Sequence, residues 1–185
     1  MSHSNNSSHS SQESAKNNYH FRIGFSIVDI TPPLDLNVRL GGYLRFHKSA
    51  KKVIHPIKAR AFCIRDKKSP KNGVILISVD LVGGQYRWIR IVRKHISKRT
   101  GIPIANVMIH FTHSHTSPDM IGIFPNKISR FPRTDVQYPV LKHIMKMITK
   151  SGHNAWEDAN KEFKIGFGTS EKVEPPLAGQ REPPY

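Results

Sequence analysis

The 185-residue sequence holds little that would support a disulfide framework, a membrane span or a secretory leader. Its single cysteine, Cys63, excludes an internal disulfide. No apolar run approaches the roughly 20 residues that are needed to cross a bilayer. The first residues lack the apolar segment of a signal peptide. We therefore expect a cytoplasmic chain with a single hydrophobic core.

Acidic residues are scarce as well, with 13 Asp+Glu against 29 Lys+Arg and a formal net charge of +16. Such an excess favours polyanionic partners. The basic residues are spread along the whole chain, and neither a helix-turn-helix nor an RNP-like motif accompanies them. We expect no specific nucleic acid partner and a weak association with anionic membrane surfaces. A basic nucleic-acid or anionic-membrane-surface binding protein without catalysis remains the alternative function.

Periodicity and turn residues divide the chain into a tail and a series of strands and helices. Residues 1–19 are rich in Ser, Asn and His, which predicts a disordered tail. Strands are predicted at Phe21–Ile30, Lys58–Asp66, Gly73–Val82, Val107–Phe111 and Phe163–Gly168. Helices are predicted at Gln85–Thr100 and at Tyr138–Ser151, the second capped by Gly152.

The order of these elements predicts an α/β fold, a mixed sheet with flanking helices. The run Val74–Val79 is nearly continuously apolar, which is typical of a central strand covered on both faces. The histidine-bearing edge of the sheet is expected at the carboxyl ends of its strands.

A pair of histidines follows the apolar run Val107–Phe111. If the strand continues through them, His113 and His115 point to the same face. Two imidazoles on one face form half of a transition-metal site. Both histidines could ligate zinc, or one could ligate while the other orients a nucleophile or stabilises an oxyanion, or both could be structural. No G-x-S-x-G motif supports a serine hydrolase.

Four other residues are candidates for lining such a site. His55, Asp80 and Asp119 carry groups that can bind a metal, and Asp80 ends a buried strand before two glycines. Gly42 belongs to a glycine pair, which indicates a tight turn or a close approach of the backbone.

Five segments in register resemble the N-terminal catalytic domain of the neutral/alkaline (non-lysosomal) ceramidase family. They are Gly24-Phe25-Ser26-Ile27-Val28-Asp29-Ile30-Thr31-Pro32-Pro33, Gly41-Gly42-Tyr43, His55-Pro56-Ile57-Lys58-Ala59-Arg60-Ala61, Ser78-Val79-Asp80-Leu81-Val82-Gly83 and Thr112-His113-Ser114-His115-Thr116-Ser117-Pro118-Asp119. No single segment is specific, but their shared order and spacing are.

This resemblance implies a zinc-dependent amidase acting on a lipid amide (ceramide-like) substrate, with Zn2+ as cofactor and a zinc-activated water as the attacking group. His113 matches the zinc ligand, and His115 matches the active-site histidine beside the metal. The other family ligands, a histidine, a glutamate and a tyrosine, lie well downstream. Arg181 matches an arginine near the substrate, although Gln180 stands where the family has asparagine.

The departures from the family pattern are as informative as the matches. Family catalytic domains are far longer, and Ser117 replaces a smaller Gly or Ala. Residues 20–185 are therefore expected to form the N-terminal portion of a ceramidase-type metalloamidase domain, an incomplete domain. Two hypotheses stay open, namely an active amidase of ceramidase type and a fragment that is inactive alone. An incomplete sheet should expose an edge and apolar surface.

Overall fold

The computed structural model describes residues 21–42, 49–69, 71–122 and 136–163. The predicted tail, Arg181 and residues 164–168 of the predicted last strand lie outside these ranges. The strands are β1 (Phe21–Asp29), β2 (Lys58–Asp66), β3 (Gly73–Val79), β4 (Val107–Phe111) and β5 (Lys161–Phe163), and the helices are α1 (Tyr86–Thr100) and α2 (Tyr138–Asp158). Short 3-10 turns cover Leu34–Leu36 and Ile104–Asn106.

The strands form one mixed sheet in the order β4-β3-β2-β1-β5. β1, β2 and β3 pair antiparallel, whereas β4 lies parallel to β3. A parallel pair needs a crossover connection, and α1 supplies it between β3 and β4. The carboxyl ends of β1, β3 and β4 and the start of β2 therefore share one edge of the sheet. This arrangement confirms the predicted α/β class with a mixed sheet.

Most predicted elements agree with the structure to within a few residues. β2 and β4 have the predicted bounds, and β1 and α1 differ from prediction by one residue at one end. The prediction was too long for β3, which ends at Val79 because Leu81 N–H turns back to the Val79 carbonyl. The last strand begins two residues earlier than predicted, at Lys161.

The prediction that α2 ends at Ser151 with Gly152 as its cap was wrong. The helix continues to Asp158, and Gly152 is buried inside it. A side chain at Gly152 would meet Ile96 Cδ1 at 2.8 Å and Ile77 Cδ1 at 3.1 Å, so the glycine lets α2 approach both α1 and the sheet. The helix end is held from the sheet, since Arg65 donates to the Ala159 carbonyl at 2.7 Å and Phe25 N–H donates to the Asp158 carboxylate at 2.9 Å.

Both helices pack on the same face of the sheet and bury the core with it. In β2 and β3 the alternating apolar residues that point to this face are buried, while their neighbours are not. The largest core side chains include Ile75, Ile77, Val79, Val92, Ile96, Ile144 and Ile148. Neither helix is long and apolar enough to cross a membrane within the part of the chain that the structure describes.

The opposite face of the sheet is apolar and open. Register places Phe25, Phe62, Leu76 and Met108 in one row across four strands. Phe25 is 62% exposed and Met108 53% exposed. The next row is mixed, with Ile27, 70% exposed, beside the polar Arg60, Ser78 and His110. The expectation that β3 is covered on both faces was therefore wrong for the described residues. The predicted exposure of apolar surface is present, consistent with a partial domain.

Gly24 is expected to be essential for docking α2 against β1. A Cβ at this position would lie 2.2 Å from the Ala155 carbonyl oxygen and 2.4 Å from Ala159 N, and backbone cannot yield as a flexible side chain can. Gly24→Ala should lower the free energy of unfolding by about 3 kcal/mol, the upper part of the overpacking range. Urea unfolding of the two proteins measures this difference.

Gly101→Ala is the comparison variant for this experiment. Gly101 has φ +75°, and a Cβ there would make only an ordinary contact with Lys71 Cγ at 3.8 Å, so only the backbone conformation opposes a side chain. Its expected cost is about 1–2 kcal/mol. Equal losses for the two variants would contradict the close approach of α2 to β1.

The open sheet face should make the chain bind apolar dyes and self-associate. Ile27→Thr with Met108→Thr should reduce both effects, because these side chains are exposed and sit on the apolar face. The free energy of unfolding should change by no more than about 0.5 kcal/mol per substitution. Dye fluorescence and light scattering provide the readout.

Val53→Thr with Ile54→Thr is the matched control, since both are exposed apolar residues outside the sheet. An equal reduction with this pair would show that surface apolarity in general, and not the sheet face, drives association.

Candidate metal and active site

The two histidines lie in a turn beyond the end of β4. The strand stops at Phe111, and the chain then crosses the end of β3, where Thr112 N–H donates to the Val79 carbonyl and His113 N–H donates to the Leu81 carbonyl, each at 3.0 Å. His113 adopts a left-handed conformation with φ +62°. The prediction that strand alternation aligns the two rings was therefore wrong, because the strand ends before His113.

The turn nevertheless brings the two imidazoles together. The ring centroids of His113 and His115 lie 5.0 Å apart at an interplanar angle of 69°. A left-handed conformation in a residue other than glycine costs free energy, and such outliers concentrate at functional sites. The juxtaposition thus comes from a specific turn that the surrounding contacts must hold.

Hydrogen bonds set the tautomer of both rings. His113 Nδ1 lies 2.7 Å from the Val82 carbonyl oxygen, and His115 Nδ1 lies 3.1 Å from the Gly42 carbonyl oxygen. A carbonyl can only accept, so Nδ1 of each ring carries the proton. In the neutral rings the lone pair then resides on Nε2, the arrangement that protein metal sites use to fix and orient a histidine ligand.

Gly42 lies directly against His115. A Cβ on Gly42 would be 2.1 Å from the His115 carbonyl oxygen and 2.5 Å from its Cα. The segment that carries Gly42 is held alongside the turn by Gly41 N–H donating to the Ser117 carbonyl and Asp119 N–H donating to the Arg39 carbonyl, both at 2.9 Å. The glycine is needed for this close approach.

Ser117 connects the histidine turn to the end of β3. Its hydroxyl is fully buried, donates to the Ser114 carbonyl at 2.7 Å and accepts from Val82 N–H at 3.0 Å. Val82 is also the residue whose carbonyl binds His113. The hydroxyl that distinguishes Ser117 from Gly or Ala therefore holds Val82, the residue whose carbonyl orients the His113 ring.

Asp119 closes the far side of the turn. Its Oδ1 accepts from the backbone N–H groups of Ile121 at 3.1 Å and Gly122 at 2.8 Å, and the residue is 8% exposed. Trp88 Nε1 donates to the Met120 carbonyl at 3.1 Å, and Gln85 Nε2 donates to the Ile121 carbonyl at 2.7 Å. The first turn of α1 thus anchors the segment that follows the histidines.

Asp80 and His55 lie at the same edge of the sheet as the histidine pair. The Asp80 carboxylate accepts Lys58 N–H and forms an ion pair with the Arg60 guanidinium, each at 2.9 Å. His55 is exposed in the segment before β2, and no described contact joins it to His113 or His115. These contacts give Asp80 a role in holding the start of β2. Arg181 lies outside the described residues.

The described residues fit part of a zinc site. Two neutral imidazoles with Nε2 lone pairs are suitable zinc ligands, but a catalytic zinc needs three protein ligands. No group of three His, Cys, Asp or Glu side chains that could hold a metal ion occurs within ranges 21–42, 49–69, 71–122 and 136–163.

Cys63 takes no part in this site. It is fully buried in the middle of β2, and the loss of hydration on burial raises the pKa of its thiol to about 11. The thiol therefore stays protonated at neutral pH and is a poor nucleophile.

Sequence reasoning missed the backbone partners of the histidines. The Val82 and Gly42 carbonyls carry no signal in side-chain chemistry, because any residue could supply them. Ser117 did carry a signal, a hydroxyl residue before a proline where the family pattern has Gly or Ala, but its partners could not be deduced from spacing.

Comparison with known proteins identifies the family of the chain. The family described as neutral/alkaline non-lysosomal ceramidase, N-terminal, matches residues 21–172. No curated protein sequence matches the chain. This match places the chain in the ceramidase family, as a member of its N-terminal region.

Solved structures with a similar fold include neutral ceramidase from Pseudomonas aeruginosa, at a TM-score of 0.58 and 20% identity over 77% of this chain. A ceramidase complexed with C2 has a TM-score of 0.55 and 21% identity over 76% of this chain. The matched region spans 22% of each of those proteins.

Ser117→Ala should destabilise the protein and loosen the histidine turn. The substitution removes the acceptor for the buried Val82 N–H, and an unsatisfied buried donor costs about 1–3 kcal/mol. Urea unfolding measures the loss. Thr116→Ala is the control, since Thr116 is exposed and, among the described residues, its hydroxyl bonds only the Ser114 hydroxyl, at 3.4 Å. A loss for Ser117→Ala as small as that of the control would contradict the bridging role.

Proposed function

We propose that the chain contributes to zinc-dependent hydrolysis of the amide bond in a ceramide-like lipid, the deacylation of N-acylsphingosine. The observation that carries the proposal is the pair of imidazoles whose Nδ1–H groups are tied to backbone carbonyls. That pair occupies the family motif in a chain that belongs to the ceramidase family. The substrate class follows from the family and from the names of its solved members.

The two histidines have different roles in this proposal. His113 would hold zinc through Nε2, because its Nδ1 is fixed by the shorter hydrogen bond and its turn is anchored to β3. His115, held by Gly42, would transfer a proton or stabilise developing charge at the amide through its own Nε2. Zinc bound there would supply Lewis-acid chemistry for amide hydrolysis. Arg181 would contact the substrate.

The other proposed lining residues act by holding this arrangement. Gly42 and Asp119 fix the two sides of the histidine turn. Asp80 and His55 border the same edge of the sheet, where they could line an approaching substrate.

The number of zinc ligands that the described residues supply bears on whether the chain is active alone. In this assignment the described residues supply one zinc ligand, His113, and the further ligands must come from outside them. Because the resemblance to the family puts its remaining zinc ligands well downstream of the histidine motif, we infer that the 185-residue chain alone binds zinc weakly and does not turn over substrate. A longer ceramidase polypeptide, of which the matched region is 22%, would complete the site.

Zinc titration of four proteins tests these roles. His113→Ala should weaken zinc binding by more than about tenfold, since loss of an orienting partner alone costs 10–100-fold. His115→Ala should change zinc affinity only a few fold. His95→Ala is the control, because His95 is exposed on α1, away from the turn, and should leave binding unchanged. Calorimetry measures the affinities, and elemental analysis measures the zinc content.

Release of fatty acid from a fluorescent ceramide tests the inferred inactivity. The wild-type chain should show no release above the His113→Ala background with zinc present. Release that His113→Ala abolishes would show that the chain is active alone. An equal zinc affinity for wild type and His113→Ala would contradict the role of His113 as a zinc ligand.

A further inference from the structure

The outer surface of the two helices carries a groove that the proposed chemistry does not use. α1 and α2 enclose a groove of about 1180 Å³ that starts near Gln85 and Tyr138 and ends near Lys98 and Lys150. Its floor is largely apolar, with Trp88, Ile91, Leu141 and Met145.

The rim of the groove is uniformly basic. Six exposed cationic side chains line it, namely Arg87, Lys98 and Arg99 from α1 and Lys142, Lys146 and Lys150 from α2. His95 joins them, and no acidic residue lines the groove. Within the described residues, none of the six cations is ion-paired with a carboxylate. The fold thus gathers onto one face charges that are dispersed along the sequence.

We propose that this groove docks the protein onto an anionic phospholipid surface. Unpaired cations on both flanks complement lipid phosphates and anionic headgroups. The apolar floor offers burial for lipid carbon chains, and exposed Ile91 provides an apolar contact. Tyr138, 71% exposed at one end, is the kind of amphipathic ring that prefers the membrane–water interface.

The side-chain types favour a lipid surface over other polyanions. Four of the six cations are lysines, flexible point charges that follow mobile headgroups, whereas fixed carboxylates and phosphates of a macromolecular partner favour the planar fork of arginine. Single-stranded nucleic acid would need several exposed aromatic rings for stacking, whereas Tyr138 at one end is the one exposed Phe, Tyr or Trp ring among the lining residues. The floor instead offers the aliphatic Ile91, Leu141 and Met145, and its Trp88 is only 3% exposed.

Vesicle sedimentation with the full chain tests this proposal. Vesicles of phosphatidylcholine are compared with vesicles that contain about 30% phosphatidylserine, an anionic lipid that attracts polybasic surfaces. The groove variant carries Arg87→Gln, Lys142→Gln and Lys146→Gln. The control variant carries Arg90→Gln, Lys94→Gln and Lys51→Gln, exposed positions that do not line the groove. Each variant removes one arginine and two lysines, so the two have equal net charge.

The groove variant should bind the phosphatidylserine vesicles at least tenfold more weakly than wild type, while the control variant should lose no more than about twofold. Neither variant should bind the phosphatidylcholine vesicles. Equal losses for the two variants would overturn the proposal, since net charge alone would explain binding. Thermal unfolding of each variant confirms that it folds.

The apolar floor has a separate test. Ile91→Asn should weaken vesicle binding severalfold, whereas Ile104→Asn, at a residue 39% exposed outside the groove, should not. Equal effects of the two substitutions would overturn the role of the floor.

A short DNA duplex provides the last comparison. If the Arg87→Gln, Lys142→Gln, Lys146→Gln variant binds DNA more weakly but binds vesicles as the wild type does, the partner is nucleic acid and the lipid proposal fails. These measurements do not involve amide hydrolysis, so their failure would leave the proposed function standing.

Discussion

The candidate site depends on the hydrogen bond from His113 Nδ1 to the Val82 carbonyl. That bond can form only because β4 runs parallel to β3, so the chain leaving β4 passes over the end of β3. The backbone bonds from Thr112 and His113 to the same segment keep the turn in place. The buried hydroxyl of Ser117 then fixes Val82 from its N–H side. One residue, Val82, thus sets the tautomer of His113 through its carbonyl and is held in place through its N–H.

A second constraint comes from the glycines that allow backbones to approach. Gly42 brings the segment after β1 against His115, and its carbonyl sets the tautomer of that ring. Gly24 lets α2 contact β1, and Gly152 lets it contact α1 and β3. The sheet, the helices and the histidine turn are therefore coupled through positions at which a methyl group would collide. Stability and site geometry are properties of the same packing.

The strands were predictable from the sequence because they alternate or form apolar runs bounded by Pro, Gly and Asn. β2 and β4 followed these local rules fully. The end of α2 did not, because Arg65 and the Phe25 N–H stabilise it from distant strands. The family could be identified from five segments in register, and His113 and His115 from their spacing. Their ring orientation could not, since it depends on a left-handed turn and on the carbonyls of Val82 and Gly42.

The two faces of the molecule explain the composition of the chain. The sheet face opposite the helices carries an exposed apolar row, and the helix face opposite the sheet is basic. The groove on the helix face begins at Gln85 and Tyr138, and this end is tied to the histidine turn. Gln85 donates to the Ile121 carbonyl, and Gln137 accepts from Arg39 N–H beside the segment that carries Gly42. A lipid surface docked along the groove would therefore lie next to the edge of the sheet that bears the histidines. Surface binding and amide chemistry would then act on the same class of molecule, with the first turns of α1 and α2 connecting them.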